Sequence, residues 1–417
     1  MSAASPDPWS PALAPGYGAA NGRGRSAPPA LVWGGVRLSF AELAEQIRGV
    51  DVRQTIDVTG LAVPDQLAGV FAAAAARVPV VLADPANPLP PSIYAADKLP
   101  TGTFLVVSTS GSTGRPRAVI RTLRSWTASF AGYSSLTGLT SADRLLLTGP
   151  LSSSMQLFTA LHALWSGATI TDDPASATSA VCVPAVLPKL IDPEGPTRLR
   201  TVVVAGARVP PSLVQQAIST DIAVIEYYGA AELSLVAARR LPAPLRPFPG
   251  VEIQLRDGHL WSRSEYHALG YLGGGTALRT DPAGFVTVGD LAMQRADGSL
   301  LILGRGNTAV TVGGRTVIVE DVEAALAGIP GILEVAVIGL AHPRLGEELV
   351  AVVTLDDATD LVSVRARARC LLHGESLPRR WRQAPFIPRT RTGKIDRVAL
   401  HSQYSGDTEL RQGTGTL

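Results

Sequence analysis

The chain has 417 residues, a length that implies two or three domains at about 150 residues each. With 46% apolar and 17% charged residues it can bury a large core, which excludes global disorder, and a formal net charge of +2 points to no nucleic-acid partner. Two cysteines, Cys182 and Cys370, are too few for a disulfide framework or a zinc site; both stand in apolar or Arg/Leu surroundings that read as core and suit a reducing, cytoplasmic setting.

The first 28 residues are rich in Ser, Ala, Pro and Gly and read as a disordered leader rather than a targeting segment. Ala30 to Phe40 reads as a short hairpin, with Ser39 placed to cap a helix over Ala41 to Gln46. An Ala-rich helix is expected over Asp65 to Ala76 and a buried strand over Val78 to Leu82. This most apolar stretch is broken by Arg77 and Pro79 and is too short to cross a bilayer, so no membrane partner is expected. Strands follow at Thr103 to Val107, Ala118 to Arg121, Arg144 to Leu147, Ala168 to Thr171, Thr201 to Val204 and Ile222 to Tyr227, with helices over Gln156 to Trp165 and Ser212 to Ser219. Phe248 to Leu303 shows only short strands and Gly, Asp-Gly and Pro turns, the pattern of a small β-subdomain. Beyond Gly304, a strand end and helix over Val317 to Leu326, strands over Leu333 to Leu340 and Glu348 to Leu355, and an Arg-rich helix over Leu361 to His373 make a second module. The expected fold is α/β: a large N-terminal domain over 29–303 with mixed sheets, helices and the β-subdomain, a hinge at 304–307, a small mobile α+β C-terminal domain over 308–404, and a polar tail over 405–417.

Among the basic residues 34 are Arg, and only Lys98, Lys189 and Lys394 are Lys, a skew that reads as compositional bias. A lysine kept where chemistry needs an ammonium therefore stands out. Phe104 to Val119 carries the densest signal: a hydrophobic strand runs into Thr109-Ser-Gly-Ser-Thr-Gly-Arg-Pro-Arg117. Glycines let backbone N–H groups turn inward, hydroxyls add donors and arginines add charge, so the loop suits a polyphosphate. A Ser/Thr/Gly run by itself is also a linker pattern, and the Gly-Lys-Ser/Thr of a P-loop NTPase is absent.

The loop resembles the phosphate-binding loop of the adenylate-forming superfamily, which includes acyl-CoA synthetases, peptide-synthetase adenylation domains and luciferases. Four further segments agree in order. Tyr227-Tyr-Gly-Ala-Ala-Glu232 is similar to Tyr-Gly-x-Thr-Glu, and Val288-Gly-Asp290 to Thr-Gly-Asp. Leu303 to Glu323 resembles the hinge and its Gly-Gly loop, and Ile387 to Arg397 the C-terminal Pro-x-x-x-x-Gly-Lys signature. The resemblance implies an ATP-dependent enzyme that joins a carboxylate to the α-phosphate, giving an acyl-adenylate and pyrophosphate, and then passes the acyl group to a thiol. It assigns Thr109, Ser110, Gly111, Ser112, Thr113, Gly114 and Arg117 to the phosphates, and Gly206, Ala207, Tyr228, Gly229 and Asp290 to the adenine, ribose and AMP. Glu232 would hold Mg²⁺, a hard cation suited to a carboxylate and phosphate oxygens. Arg305 would reach ribose or phosphate, and Lys394 would bridge the carboxylate and the α-phosphate, where a compact ammonium serves developing charge. Asn307 falls at the hinge, and Gly313 and Gly314 at the thiol tunnel. Taken singly, Asp290 is equally a turn residue, Glu232 a helix cap, the two tyrosines strand aromatics and Lys394 a solvated turn lysine.

The chain departs from the family pattern. A loop lysine is Arg117, its following glycine Ala118, the motif threonines Ala231 and Val288, and the hinge acid Asn307. An α-amino acid is disfavoured because Ser153, Ser154, Met155 and Gln156 follow Pro150-Leu151 with no aspartate; together with Gly206 and Tyr227 they imply a pocket for a small carboxylic acid. The acceptor implied is CoA or an acyl or aryl carrier protein. Residues 361–400 carry nine Arg and Lys394 against Glu375 and Asp396, either a solvated face or a docking surface for such a partner. Adenylation-driven bond formation without a thiol, and a degenerate nucleotide-binding homologue, remain open readings.

Overall fold

The computed structural model describes residues 28–405, apart from 96–97, 110–116, 193, 196–197, 273–277, 305–308, 314 and 391–392. The leader, five residues of the phosphate loop (Ser110, Gly111, Ser112, Thr113 and Gly114), Arg305, Asn307 and Gly314 lie outside the described residues.

The first helix, Phe40–Gly49, begins where its cap dictates: the Glu42 amide donates to Ser39 Oγ at 3.2 Å and the Ser39 amide to Glu42 Oε2 at 2.7 Å, a reciprocal capping box. The second, Val63–Ala76, starts two residues earlier than expected because Pro64 suits the first turn, and it ends at Arg77 in the left-handed region. It buries Leu67, Val70 and Phe71.

Among the described residues there are four sheets. The largest has nine strands, in the order Arg246–Pro247, Ser234–Arg240, Ala223–Ala230, Thr201–Val204, Ser179–Cys182, Arg144–Leu147, Thr169–Thr171, Leu31–Trp33 and Val36–Leu38. Its centre is parallel, from Leu31–Trp33 to Ala223–Ala230, and both edges are antiparallel. A five-stranded sheet runs Gly270–Leu272, Arg117–Thr122, Thr103–Thr109, Val80–Leu82 and Ile56–Asp57. Helices Val63–Ala76 and Ser154–Trp165 share one core with residues of both sheets, including Leu82, Leu105, Leu145 and Ile170. A third sheet, of six short strands between Glu252 and Gly304, is the expected β-subdomain. The mixed-sheet N-terminal architecture therefore follows from the strand and helix alternation, as expected.

The C-terminal module has a core of its own. Strand Gly346–Leu355 is buried on both faces: Leu349, Ala351 and Val353 pack with Val322 and Leu326 of helix Val319–Ala327, while Val350 and Val352 pack with Leu400 and Tyr404 of helix Arg397–Ser405. Several elements went unread in the sequence. Strand Ser179–Cys182 sits between Thr201–Val204 and Arg144–Leu147, yet only four residues in an Ala/Ser-rich stretch announce it. Helix Phe130–Thr137 has only Ala131 and Leu136 as strong helix formers among Gly, Ser, Thr and aromatic residues, and it buries Phe130 and Tyr133. Cys182 is buried as expected, but Cys370 is exposed on helix Leu361–Leu371, whose buried face is Val364 and Ala368; an Arg/Leu neighbourhood there marks the outer face of a helix. No helix among the described residues is long and apolar enough to cross a membrane.

Candidate active site

A cleft of about 900 Å³ opens where the C-terminal ends of Ala223–Ala230 and Thr201–Val204 face the C-terminal module. Thr109 and Arg117, at the two ends of the phosphate loop, line it, as do Ser153, Ser154 and Met155 at the start of helix Ser154–Trp165. Gly206 and Ala207 follow strand Thr201–Val204, and Tyr227, Tyr228, Gly229 and Glu232 come from the end of Ala223–Ala230 and the turn beyond it. Asp290 joins from the β-subdomain and Lys394 from the C-terminal module. Residues nearly 290 positions apart in sequence thus share one cavity. Gly313 does not line it and sits, with φ of +58°, in the exposed turn after strand Ala309–Val312. Gln156 is also elsewhere: its amide reaches the Val181 carbonyl at 3.3 Å within the core.

Two glycines are needed for close approach. At Gly229 a Cβ would fall 2.1 Å from the Ser234 carbonyl oxygen, where the antiparallel pair Ala223–Ala230 and Ser234–Arg240 folds back through a bulge. Gly206 has φ of +90°, and a Cβ there would lie 3.0 Å from Lys394 Cε and 3.5 Å from Nζ. The ammonium of the C-terminal signature therefore rests against the end of a central strand.

The carboxylates are held by tyrosines. Tyr228 Oη donates to Asp290 Oδ2 at 2.6 Å, and Tyr271 Oη donates to Glu232 Oε1 at 2.7 Å. Glu232 is buried, and among the described residues no donor reaches its Oε2. A buried carboxylate with one oxygen still available fits a hard cation. A single such ligand fits Mg²⁺ in particular, which keeps several waters and phosphate oxygens in its shell. The described residues hold no cluster of three or more His, Cys, Asp or Glu that would cage a metal by themselves.

Sequence reasoning missed three residues here. Arg121 is fully buried; its guanidinium donates to the carbonyls of Ala231 at 2.7 Å, Ser125 at 2.6 Å and Tyr266 at 2.5 Å, and to Ser125 Oγ at 3.2 Å. Burial pushes its pKa down to about 9, and the Glu232 carboxylate opposes that shift. The change from threonine to Ala231 thus leaves the turn anchored through its backbone. Glu226, one residue before the Tyr-Tyr pair, accepts from the Val209 amide at 3.0 Å and pairs with Arg239 inside the cleft. A charged residue inside an otherwise apolar strand run was the available signal for both. Tyr271 carried no such mark. On the C-terminal side, Arg208 pairs with Asp321 across the cleft, and Arg397 pairs with Glu323 at 2.8 Å.

The family model for AMP-binding enzymes matches residues 95–272, and that for the AMP-binding enzyme C-terminal domain matches residues 321–394. An uncharacterized acyl-CoA ligase of Bacillus subtilis, YhfT, is 30% identical over 341 residues, covering 73% of this chain and 70% of the relative. The 2-succinylbenzoate-CoA ligase of Escherichia coli is 30% identical over 323 residues, covering 74% and 70%. Among solved structures, the ATP-bound RpMatB-BxBclM chimera B3 has a TM-score of 0.80 over 96% of this chain and 99% of that one, at 18% identity. An E. coli MenE variant with bound OSB-AMS has a TM-score of 0.78 over 96% and 98%, at 24% identity. With two domain models matched in order and such relatives covered over more than two thirds of their length, the chain belongs to the AMP-binding enzymes, the adenylate-forming superfamily.

Proposed function

We propose that the chain is an ATP-dependent, AMP-forming acid–thiol ligase that activates a small carboxylic acid and transfers it to CoA. The observation that carries this reading is Lys394, brought from the C-terminal module to within van der Waals reach of Gly206 in the cleft that also holds Tyr228, Asp290 and Glu232. A carboxylate oxygen attacks the α-phosphorus of ATP, the bond to the bridging oxygen breaks and pyrophosphate leaves. The thiol then attacks the acyl carbon and AMP departs. Such displacements need positioning and charge neutralisation. Lys394 supplies a positive charge between acid and α-phosphate, Arg117 and the loop from Thr109 to Gly114 hold the outer phosphates, and Asp290 accepts from the ribose. Glu232 would hold Mg²⁺, which offsets phosphate charge when bound. Ser153, Ser154, Met155 and Tyr227 shape the acid pocket, with Trp126, whose buried indole N–H has no acceptor among the described residues. Arg305 would reach the ribose or a phosphate, and the hinge at Asn307, between domains at 29–303 and 308–404, would let the C-terminal domain turn so that Gly313 and Gly314 meet the thiol.

A panel of aryl, short, branched and long acids, assayed with ATP and Mg²⁺ by hydroxylamine trapping and then with CoA, tests the proposal. At least one acid gives a hydroxamate and, with CoA, a thioester and AMP. Hydroxamate without CoA turnover would transfer the reading to a carrier-protein acceptor or to a reaction without a thiol, and ATP binding with no product from any acid would overturn it.

A further inference from the structure

Tyr271 falls outside every motif assigned above, yet it touches two of the groups assigned to the triphosphate. Its strand, Gly270–Leu272, adds to the free edge of Arg117–Thr122 in antiparallel register, with Tyr271 opposite Val119. That register brings its ring beside Arg117 and its hydroxyl onto Glu232. Oη donates to Glu232 Oε1 at 2.7 Å, and the Arg117 guanidinium carbon lies 5.4 Å from the ring centroid. Glu232 is buried, so without the Tyr271 hydroxyl neither of its oxygens would have a donor among the described residues and nothing would fix its rotamer. With Oε1 occupied by Tyr271, Oε2 is the oxygen left for a cation. On the other side of Tyr271, the ring face offers Arg117 a cation–π platform at the mouth of the phosphate loop.

We infer that Tyr271 is a positioning residue: its hydroxyl fixes the rotamer of Glu232 so that one carboxylate oxygen faces the metal–nucleotide site, and its ring holds Arg117 toward the phosphates. The inference deepens the proposed function and rests on its assignment of Glu232 to the metal.

The test is Mn²⁺ binding by the full-length protein, followed by electron paramagnetic resonance with a non-hydrolysable ATP analogue, for wild type, Tyr271→Phe, Glu232→Gln and the double variant. Tyr271→Phe removes one oxygen from a half-buried ring, and its melting midpoint is checked against wild type. Mn²⁺ affinity is expected to fall about 10-fold in Tyr271→Phe, the scale of losing a partner that orients a metal ligand. In the Glu232→Gln background the same change is expected to add little, because Tyr271 acts through Glu232. Replacement of Tyr271 by 4-aminophenylalanine, which keeps a donor at the ring tip, is expected to recover most of the loss. Wild-type Mn²⁺ affinity in Tyr271→Phe, or equal losses in both backgrounds, would overturn the inference while leaving the ligase reading intact. Loss of Mn²⁺ affinity in a protein that adenylates no acid would sink the ligase reading and leave Tyr271 in its role. Absence of metal–nucleotide binding by wild type would remove both.

Discussion

Arg121 shows how a single side chain assembles the walls of the cleft. Its guanidinium ties the turn carrying Ala231, the helix carrying Ser125 and the loop carrying Tyr266, and it lies within electrostatic reach of Glu232. Every hydrogen bond goes to a buried or half-buried partner, so removing the charge leaves carbonyls without donors and Glu232 without a balancing cation. Arg121→Met should therefore cost about 3 kcal/mol or more in chemical-denaturant unfolding, the scale of breaking a buried pair by removing one partner. A variant as stable as wild type would show that the guanidinium is replaceable by packing. Arg121 also marks the limit of what its local sequence discloses: Ala118-Val-Ile-Arg121 reads as strand, and the strand is there, but the partners Ala231 and Tyr266 are more than 100 residues away. Glu226 and Arg239 are hidden for the same reason, since their pairing depends on the register of adjacent strands. By contrast, Lys394 was visible because it is the one lysine in a segment of nine arginines.

At the scale of elements, helix Val319–Ala327 carries the electrostatics of the face it turns to the cleft. Glu320 and Asp321 in its first turn and Glu323 in the next meet Arg397 of the last helix and Arg208 of the loop after Thr201–Val204. Burial pushes the Glu320 pKa up to about 7; the Arg397 charge opposes this, Glu323 adds to it, Arg208 opposes and Asp321 adds. A carboxyl whose folded pKa lies above its ordinary 4.5 favours folding when protonated, and that contribution is complete below about 4.5 and lost as pH rises through about 7. Glu320→Gln, neutral throughout, should melt above wild type at pH 8 and converge with it below about pH 4.5. A constant difference across that range would place the group outside the titrating set. Much of this module was legible in its sequence, because Leu333 to Leu340 and Glu348 to Leu355 are long, mostly apolar runs, and the burial of Ala336 to Leu340 and of Leu349 to Thr354 on both faces needs no partner information. The short strand Arg380–Gln383, which joins Gly346–Leu355 in parallel, was not legible, since an Arg-Trp-Arg-Gln run has no apolar alternation.

For the whole molecule, separate cores in the N-terminal and C-terminal parts meet across a shared cleft, and the candidate chemistry lies at their junction. Thr109, Arg117, Tyr228, Glu232, Asp290 and Lys394 of the motifs gather there and Gly313 does not, while sheet topology, which no motif encodes, decided that Tyr271 and Arg121 join them. Departures at Ala231 and Val288 leave the framework intact: the Ala231 carbonyl is held by Arg121, and the neighbouring Thr287 hydroxyl donates to the Leu260 carbonyl at 2.6 Å. The central claim is that one ammonium from the C-terminal module completes the adenylation site. Substrate-dependent exchange of labelled pyrophosphate into ATP by Lys394→Ala, with an acid that wild type accepts, tests it most directly. The account predicts a fall of about 100-fold or more, as for removal of a preorganised electrostatic donor, with ATP still bound; exchange at the wild-type rate would contradict it.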